Sequence, residues 1–203
     1  MTAAETVDRI VRQGVVGIVR TGEAAEAASA ARALLDAGLA AVEVSLTTPG
    51  ALEVVAELAA EGRAVGAGTV RTPADARAAV AAGAAFLVSP ELDLDVVRYA
   101  VERDLAVVPG CLTPTEMATA QRAGAHAVKI FPAHLWTPAA LAGTLEAMPD
   151  LRCVPTGGVT PGSAPDWVRA GAVAVGVGGS LTRAVDVHGT VARLLAAIRD
   201  ARA

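Results

Sequence analysis

Short β-branched apolar runs alternate along this chain with Ala/Leu/Arg/Glu segments of helical period. Eight runs read as strands, at 14–20, 40–46, 64–70, 84–90, 105–111, 125–131, 152–158 and 172–179. Helix candidates lie near 23–37, 49–61, 73–82, 93–103, 114–123, 138–147, 163–170 and 188–202. Three helix starts are marked by Thr72-Pro73, Thr113-Pro114 and Thr137-Pro138. A capping hydroxyl followed by a Pro with preset φ suits a first helical turn. Gly38, Gly83, Gly124 and Gly171 each follow an alanine and precede a strand, at intervals of 45, 41 and 47 residues. A glycine there supplies the left-handed residue that closes a helix. Each interval holds about two βα units.

Strict βα alternation with eight strands predicts an α/β protein, a (β/α)8 TIM barrel. The 203 residues fit one such domain, spanning 1–203, with no linker or low-complexity tract. An open, doubly wound sheet is the alternative, but no G-x-G-x-x-G opens the first helix.

Composition narrows the function classes. Aromatics are 2% of a chain that is 53% hydrophobic, so Ala, Val and Leu must fill the core. The net charge of −4 argues against nucleic acid or an anionic membrane as partner. An anionic ligand would need local donors. Cys111 and Cys153 lie in strand-like runs without C-x-x-C spacing and read as reduced core thiols of a cytoplasmic protein. Residues 1–13 carry acids and do not read as a signal peptide. No apolar run reaches the roughly 18 residues of a membrane span. His126, His134 and His188 lack metal-ligand spacing, so no metal is expected.

The cationic residues are sixteen arginines and one lysine, Lys129, within an apolar run, Ala127-Val128-Lys129-Ile130-Phe131. Arg serves wherever only charge is needed, but only a desolvated amine can lose its proton and act as a nucleophile. A snorkelling strand-end lysine is the bland reading. Glu43 is the second anomaly, a carboxylate inside Val42-Glu43-Val44. It reads either as a structural ion-pair partner of Lys129 or Arg20, or as an acid/base group tuned by desolvation. In a barrel the site lies at the strands' C-terminal ends, with phosphate often held after strands seven and eight. There the chain carries Thr156-Gly157-Gly158 and Gly178-Gly179-Ser180. Such glycines let backbone N–H groups approach a phosphate. Arg20 and Thr69 are candidates for a second anion such as a carboxylate, Arg20 through its bidentate fork, with a surface ion pair as the alternative for Arg20.

These residues together resemble the 2-keto-3-deoxy-6-phosphogluconate (KDPG) / 4-hydroxy-2-oxoglutarate (KHG) aldolase family, from about Val15 to Arg183. The motifs that carry the resemblance include Val42-Glu43-Val44-Ser45-Leu46, Gly66-Ala67-Gly68-Thr69-Val70 and Val88-Ser89-Pro90. Further on stand Val108-Pro109-Gly110, Val128-Lys129-Ile130-Phe131-Pro132-Ala133, Pro155-Thr156-Gly157-Gly158-Val159 and Gly176-Val177-Gly178-Gly179-Ser180. The resemblance implies a class I aldolase working without metal or other cofactor. Lys129 matches the Schiff-base lysine and Glu43 the general acid/base. Arg20 and Thr69 match positions near the pyruvoyl carboxylate, and Pro90 and Phe131 match pocket walls. Thr156, Gly157, Gly158, Gly179 and Ser180 match the phosphate end and sugar hydroxyls. The implied partners are a phosphorylated 2-keto-3-deoxy acid, pyruvate and two further copies of the chain in a homotrimer. Thr47 stands where some members carry arginine, and His134 where others carry glutamate. Thr156 points toward the gluconate rather than the galactonate configuration. A phosphate-binding isomerase or epimerase, or a barrel that has lost activity, remains open from the residues alone.

Overall fold

The structure is a computed structural model and describes residues 2–203. It opens with helix α1 (Ala3–Gln13), then β1 (Val15–Val19), α2 (Ala24–Asp36), β2 (Val42–Ser45), α3 (Ala51–Ala60), β3 (Val65–Gly68), α4 (Pro73–Ala81) and β4 (Phe86–Val88). It continues with α5 (Leu94–Val101), β5 (Ala106–Val108), β6 (Gly110–Cys111), α6 (Pro114–Arg122), β7 (Val128–Ile130), a 3-10 turn (Ala133–Leu135) and α7 (Pro138–Ala147). The last elements are β8 (Cys153–Pro155), α8 (Ala164–Arg169), β9 (Val175–Val177), the single turn α9 (Gly179–Thr182) and α10 (Val187–Arg202).

Every pairing is parallel, and the fold is TIM-barrel-like. Six strands form one sheet, in the order β5-β4-β3-β2-β1-β9, and three form another, β6-β7-β8. Backbone bonds cross both seams. His126 N–H donates to Val107 O (3.3 Å) at one, and Val173 N–H donates to Cys153 O (3.0 Å) at the other, where Thr156 also bridges Gly176.

The punctuation acts as its chemistry dictates. Thr72, Thr113 and Thr137 each accept a helix N–H through the side chain, ahead of a Pro in the first turn. Gly38, Gly83, Gly124 and Gly171 sit at φ of 104°, 86°, 92° and 101°.

Two expectations need correcting. The fifth predicted strand is two strands. Pro109 lacks the N–H that a continuing ladder requires, so β5 pairs with β4 and, past Pro109, β6 pairs with β7. The N-terminal segment, read only as lacking leader character, holds α1 over Ala3–Gln13. A capping box of Thr2 and Glu5 starts it and Gly14, at φ 82°, ends it. Its Val7 and Ile10 pack with Val16, Phe86, Val88, Val108 and Val154 in an inner core across the strands' N-terminal ends. A larger outer core lies between strands and helices. Cys111 and Cys153 are free and buried there, and burial pushes each thiol up to about 12. No described helix is long and apolar enough to cross a membrane.

Candidate active site

Strand alternation turns Val128 and Ile130 toward the outer core and Lys129 inward. The same alternation on β2 turns Val42 and Val44 out and Glu43 in. Lys129 is 5% exposed and Glu43 3%. Both open into a cavity of about 470 Å³ at the strands' C-terminal ends. Beneath them lies a void of about 20 Å³, walled by apolar side chains that include Val7, Ile10 and Val11 of α1. The bare backbone of β3 makes room for the carboxylate: a Cβ on Gly68 would stand 2.8 Å from Glu43 Oε1. Lys129 Nζ lies 4.7 Å from the centroid of the Phe131 ring. Among the described residues neither group forms a side-chain hydrogen bond or an ion pair, so the alternative reading of Glu43, a structural ion pair with Lys129 or Arg20, is not met.

Their proton affinities follow from this setting. Burial lowers the Lys129 pKa; Glu43 opposes the shift and Arg20 adds to it. Burial raises the Glu43 pKa, with Lys129 and Arg20 pulling the other way. Both groups are therefore driven toward neutrality, the amine toward a nucleophile and the carboxyl toward a proton carrier.

The glycine-rich ends shape the rim. Gly157 and Gly158 lie at φ 89° and 92°. Any other residue would be strained at that φ, and a Cβ at Gly157 would sit 3.1 Å from the Phe131 ring, one at Gly158 3.0 Å from His134 Cβ. Buried Thr156 donates its hydroxyl to Val154 O (3.2 Å) and occupies the space that glycine leaves at Gly176. Arg20, Phe131, Thr156, Gly157, Gly158, Gly179 and Ser180 all line the cavity with Lys129 and Glu43. Thr69 and Pro90 do not. Thr69 has φ 63°, which swings its hydroxyl to Ser45 Oγ (2.8 Å), itself bonded to Thr47 Oγ1 (2.8 Å). Pro90 packs its backbone against Gly110 instead. The sequence reading did not single out Thr160, Thr182 or Arg183, which share the lining. Arg183 was detectable only as the residue four past Gly179. Among the described residues no three His, Cys, Asp or Glu side chains group as metal ligands.

A lone buried amine beside a buried carboxyl, under a glycine rim suited to an anion, defines a TIM-barrel-like enzyme equipped for carbonyl chemistry. Comparison with known proteins is specific. A model of the KDPG and KHG aldolase family matches residues 7–194. The 2-dehydro-3-deoxy-6-phosphogalactonate aldolase of Escherichia coli is 34% identical over 84% of this chain and 85% of its own. The 2-dehydro-3-deoxy-phosphogluconate aldolase of Pseudomonas aeruginosa is 32% identical over 80% of this chain and 76% of its own. The crystal structure of the Zymomonas mobilis 2-keto-3-deoxy-6-phosphogluconate aldolase with 3-phosphoglycerate superposes with a TM-score of 0.81, at 31% identity, covering 99% of this chain and 96% of that one. The chain belongs to the KDPG and KHG aldolase family and is an aldolase, a carbon–carbon lyase.

Proposed function

We propose that this chain is a class I aldolase that cleaves 2-dehydro-3-deoxy-6-phosphogluconate to pyruvate and glyceraldehyde 3-phosphate, and also accepts 4-hydroxy-2-oxoglutarate. The observation that carries the reading is the pairing of the chain's one lysine, buried and without an ion-pair partner among the described residues, with Glu43 at the base of one cavity. Neutral Lys129 Nζ adds to the C2 ketone, and loss of water leaves a protonated imine. Glu43, directly or through a water, takes the C4 hydroxyl proton. The C3–C4 bond breaks, its electron pair flows into the imine to give an enamine, and the aldehyde departs. Protonation of the enamine at C3 and hydrolysis of the imine free pyruvate. Covalent catalysis of this kind divides one hard step into easier ones.

Arg20 receives the carboxylate. Phe131 walls the reacting carbons, and Thr156 meets the sugar hydroxyls. Gly157, Gly158, Gly179 and Ser180 hold the phosphate through backbone and hydroxyl donors. Thr69 and Pro90 act from just outside the cavity, Thr69 by fixing Ser45 beside Glu43. The presence of 3-phosphoglycerate in the Zymomonas relative's structure supports a phosphate end. A galactonate-configured substrate is the second reading, favoured by the 34% identity to the Escherichia coli galactonate enzyme. The two sheets act as one closed (β/α)8 barrel over the whole chain, in the cytoplasm. Three copies assemble as a homotrimer.

Borohydride reduction with pyruvate, followed by peptide mass mapping, tests the mechanism. A reduced pyruvyl adduct on the peptide holding Lys129, absent in Lys129→Met, is expected. A folded protein that gives no adduct overturns it in favour of isomerase-type chemistry.

A further inference from the structure

Arg183 shares the cavity with Lys129 and Glu43, yet no carboxylate answers it. Seven of the chain's arginines form ion pairs; Arg183 is not one of them among the described residues. Its position is built by the backbone. The single turn α9 closes with Arg183 N–H donating to Gly179 O (3.1 Å). That turn folds the side chain back over its own start. A Cβ added at Gly179 would stand 2.6 Å from Arg183 Cζ and closer still to both terminal nitrogens. The absence of a side chain at Gly179 is thus what lets the guanidinium lie against the backbone beside Ser180 and Thr182. All four residues line the cavity that Gly157 and Gly158 also line.

Charge matching then asks what ligand needs this group. The cavity holds three cationic side chains, Lys129 at its base and Arg20 and Arg183 at its rim, against one carboxyl, Glu43. Arg20 and Arg183 also border an adjoining hollow of about 330 Å³, where Glu26 is the acid and makes no ion pair with either. A substrate carboxylate occupies one rim cation. The other, exposed to solvent, stands where it can meet a second anionic group at the ligand's far end. Backbone N–H groups can donate to a hydroxyl or a phosphate alike, whereas a guanidinium offers a fork matched to phosphate.

We propose that Arg183 is a specificity-determining residue, which grips the distal phosphate and so selects phosphorylated 2-keto-3-deoxy acids over their unphosphorylated counterparts. The inference rests on the aldolase reading of the site. It assigns the choice of phosphorylated substrate to a side chain rather than to the glycine rim alone.

The test compares kcat/KM of the wild type, Arg183→Ala and Arg183→Lys. The substrates are 2-dehydro-3-deoxy-6-phosphogluconate, its galactonate epimer and both unphosphorylated acids. Loss of a charge-assisted contact predicts a roughly 10- to 100-fold fall on the preferred phosphorylated acid in Arg183→Ala. The unphosphorylated acid changes little, so the ratio between the two collapses. Arg183→Lys keeps the charge without the fork and recovers part of the ratio. Parallel losses on both acids, an unchanged ratio, or a wild type without preference for phosphate overturns the assignment. Borohydride trapping with pyruvate runs alongside. If the wild type forms the adduct, a failure belongs to Arg183 alone; if it forms none, the aldolase reading and this inference fall together.

Discussion

Replacing both Glu43 and Lys129 by methionine should stabilise the protein while abolishing catalysis. Burial is the first cause of both pKa shifts, and it outweighs the attraction of each group for the other. Taking the two out of water therefore costs the fold more than their mutual field returns. Methionine is unbranched and close in length to both side chains, and the void beneath them, about 20 Å³, leaves little to collapse. Exchanging such a buried polar pair for apolar groups yields gains of about 1–4 kcal/mol elsewhere. At roughly 2–4 °C per kcal/mol for a chain of this size, Tm should rise by about 2–16 °C. The pH dependence follows from the signs. The folded pKa of Glu43 is raised, so its penalty is absent below its ordinary 4.5 and grows as pH rises. The folded pKa of Lys129 is lowered, so its penalty is absent above its ordinary 10.5 and grows as pH falls. The double variant's advantage should therefore be greatest near neutral pH and shrink toward both ends. Thermal unfolding of both proteins at matched concentration, from pH 5 to 10, measures it. A double variant less stable than the wild type at pH 7 would show that the pair supports the fold, and the reasoning would fail.

Three further outcomes follow from the same geometry. The trapped pyruvyl adduct should reach half its maximum well below the ordinary lysine pKa of 10.5, and Glu43→Gln should move that midpoint lower still, because Glu43 is what holds the Lys129 pKa up; a midpoint that stays near 10 in both proteins contradicts this. Gly68→Ala places a Cβ 2.8 Å from Glu43 Oε1, so cleavage should slow by about 10- to 100-fold while adduct formation persists, and equal loss of both in a rapid-quench assay would count against a displaced carboxylate. Arg202 donates to Val11 O, Arg12 O and Val173 O, tying the end of α10 to α1, so Arg202→Ala should lower stability by about 1–2 kcal/mol; urea unfolding that shows no change would mean these exposed bonds contribute nothing.

What could be read from the chain was what local chemistry encodes. Thr-Pro starts, glycine caps and β-branched runs act within a few residues of themselves, so strands and helices lay close to their expected places. Lys129 and Glu43 stood out because a charge in an apolar run is costly wherever the run ends up. What stayed hidden depends on partners distant in sequence. The Thr2–Glu5 capping box and the apolar Val7, Ile10 and Val11 were present in the sequence, but only the inner face of the sheet explains why that helix is needed. Pro109 lay inside a run read as one strand, and nothing local said that its two halves would join different sheets. Thr69 sits at a strand's C-terminal end, as a site residue should, yet its left-handed backbone turns the hydroxyl toward Ser45 and away from the cavity. Strand position sets which end of the fold a residue occupies; the local φ decides where its side chain points.

The charge of the site shows the same division between composition and geometry. A chain of net charge −4 offers no general attraction to an anionic substrate. The cavity nevertheless gathers Arg20, Lys129 and Arg183 around a single carboxyl. Each arrives by a separate structural device: Arg20 at the end of β1, Lys129 through the inward alternation of β7, and Arg183 through the turn of α9 over Gly179. Counting charges along the sequence cannot reveal this convergence, because sixteen arginines look alike until the fold leaves some of them without a carboxylate. Lys129 was legible because it is chemically unlike the others. Arg183 became legible only when the backbone brought it, without an ion pair among the described residues, to the rim of the cavity that holds Lys129, where the proposed phosphate meets it.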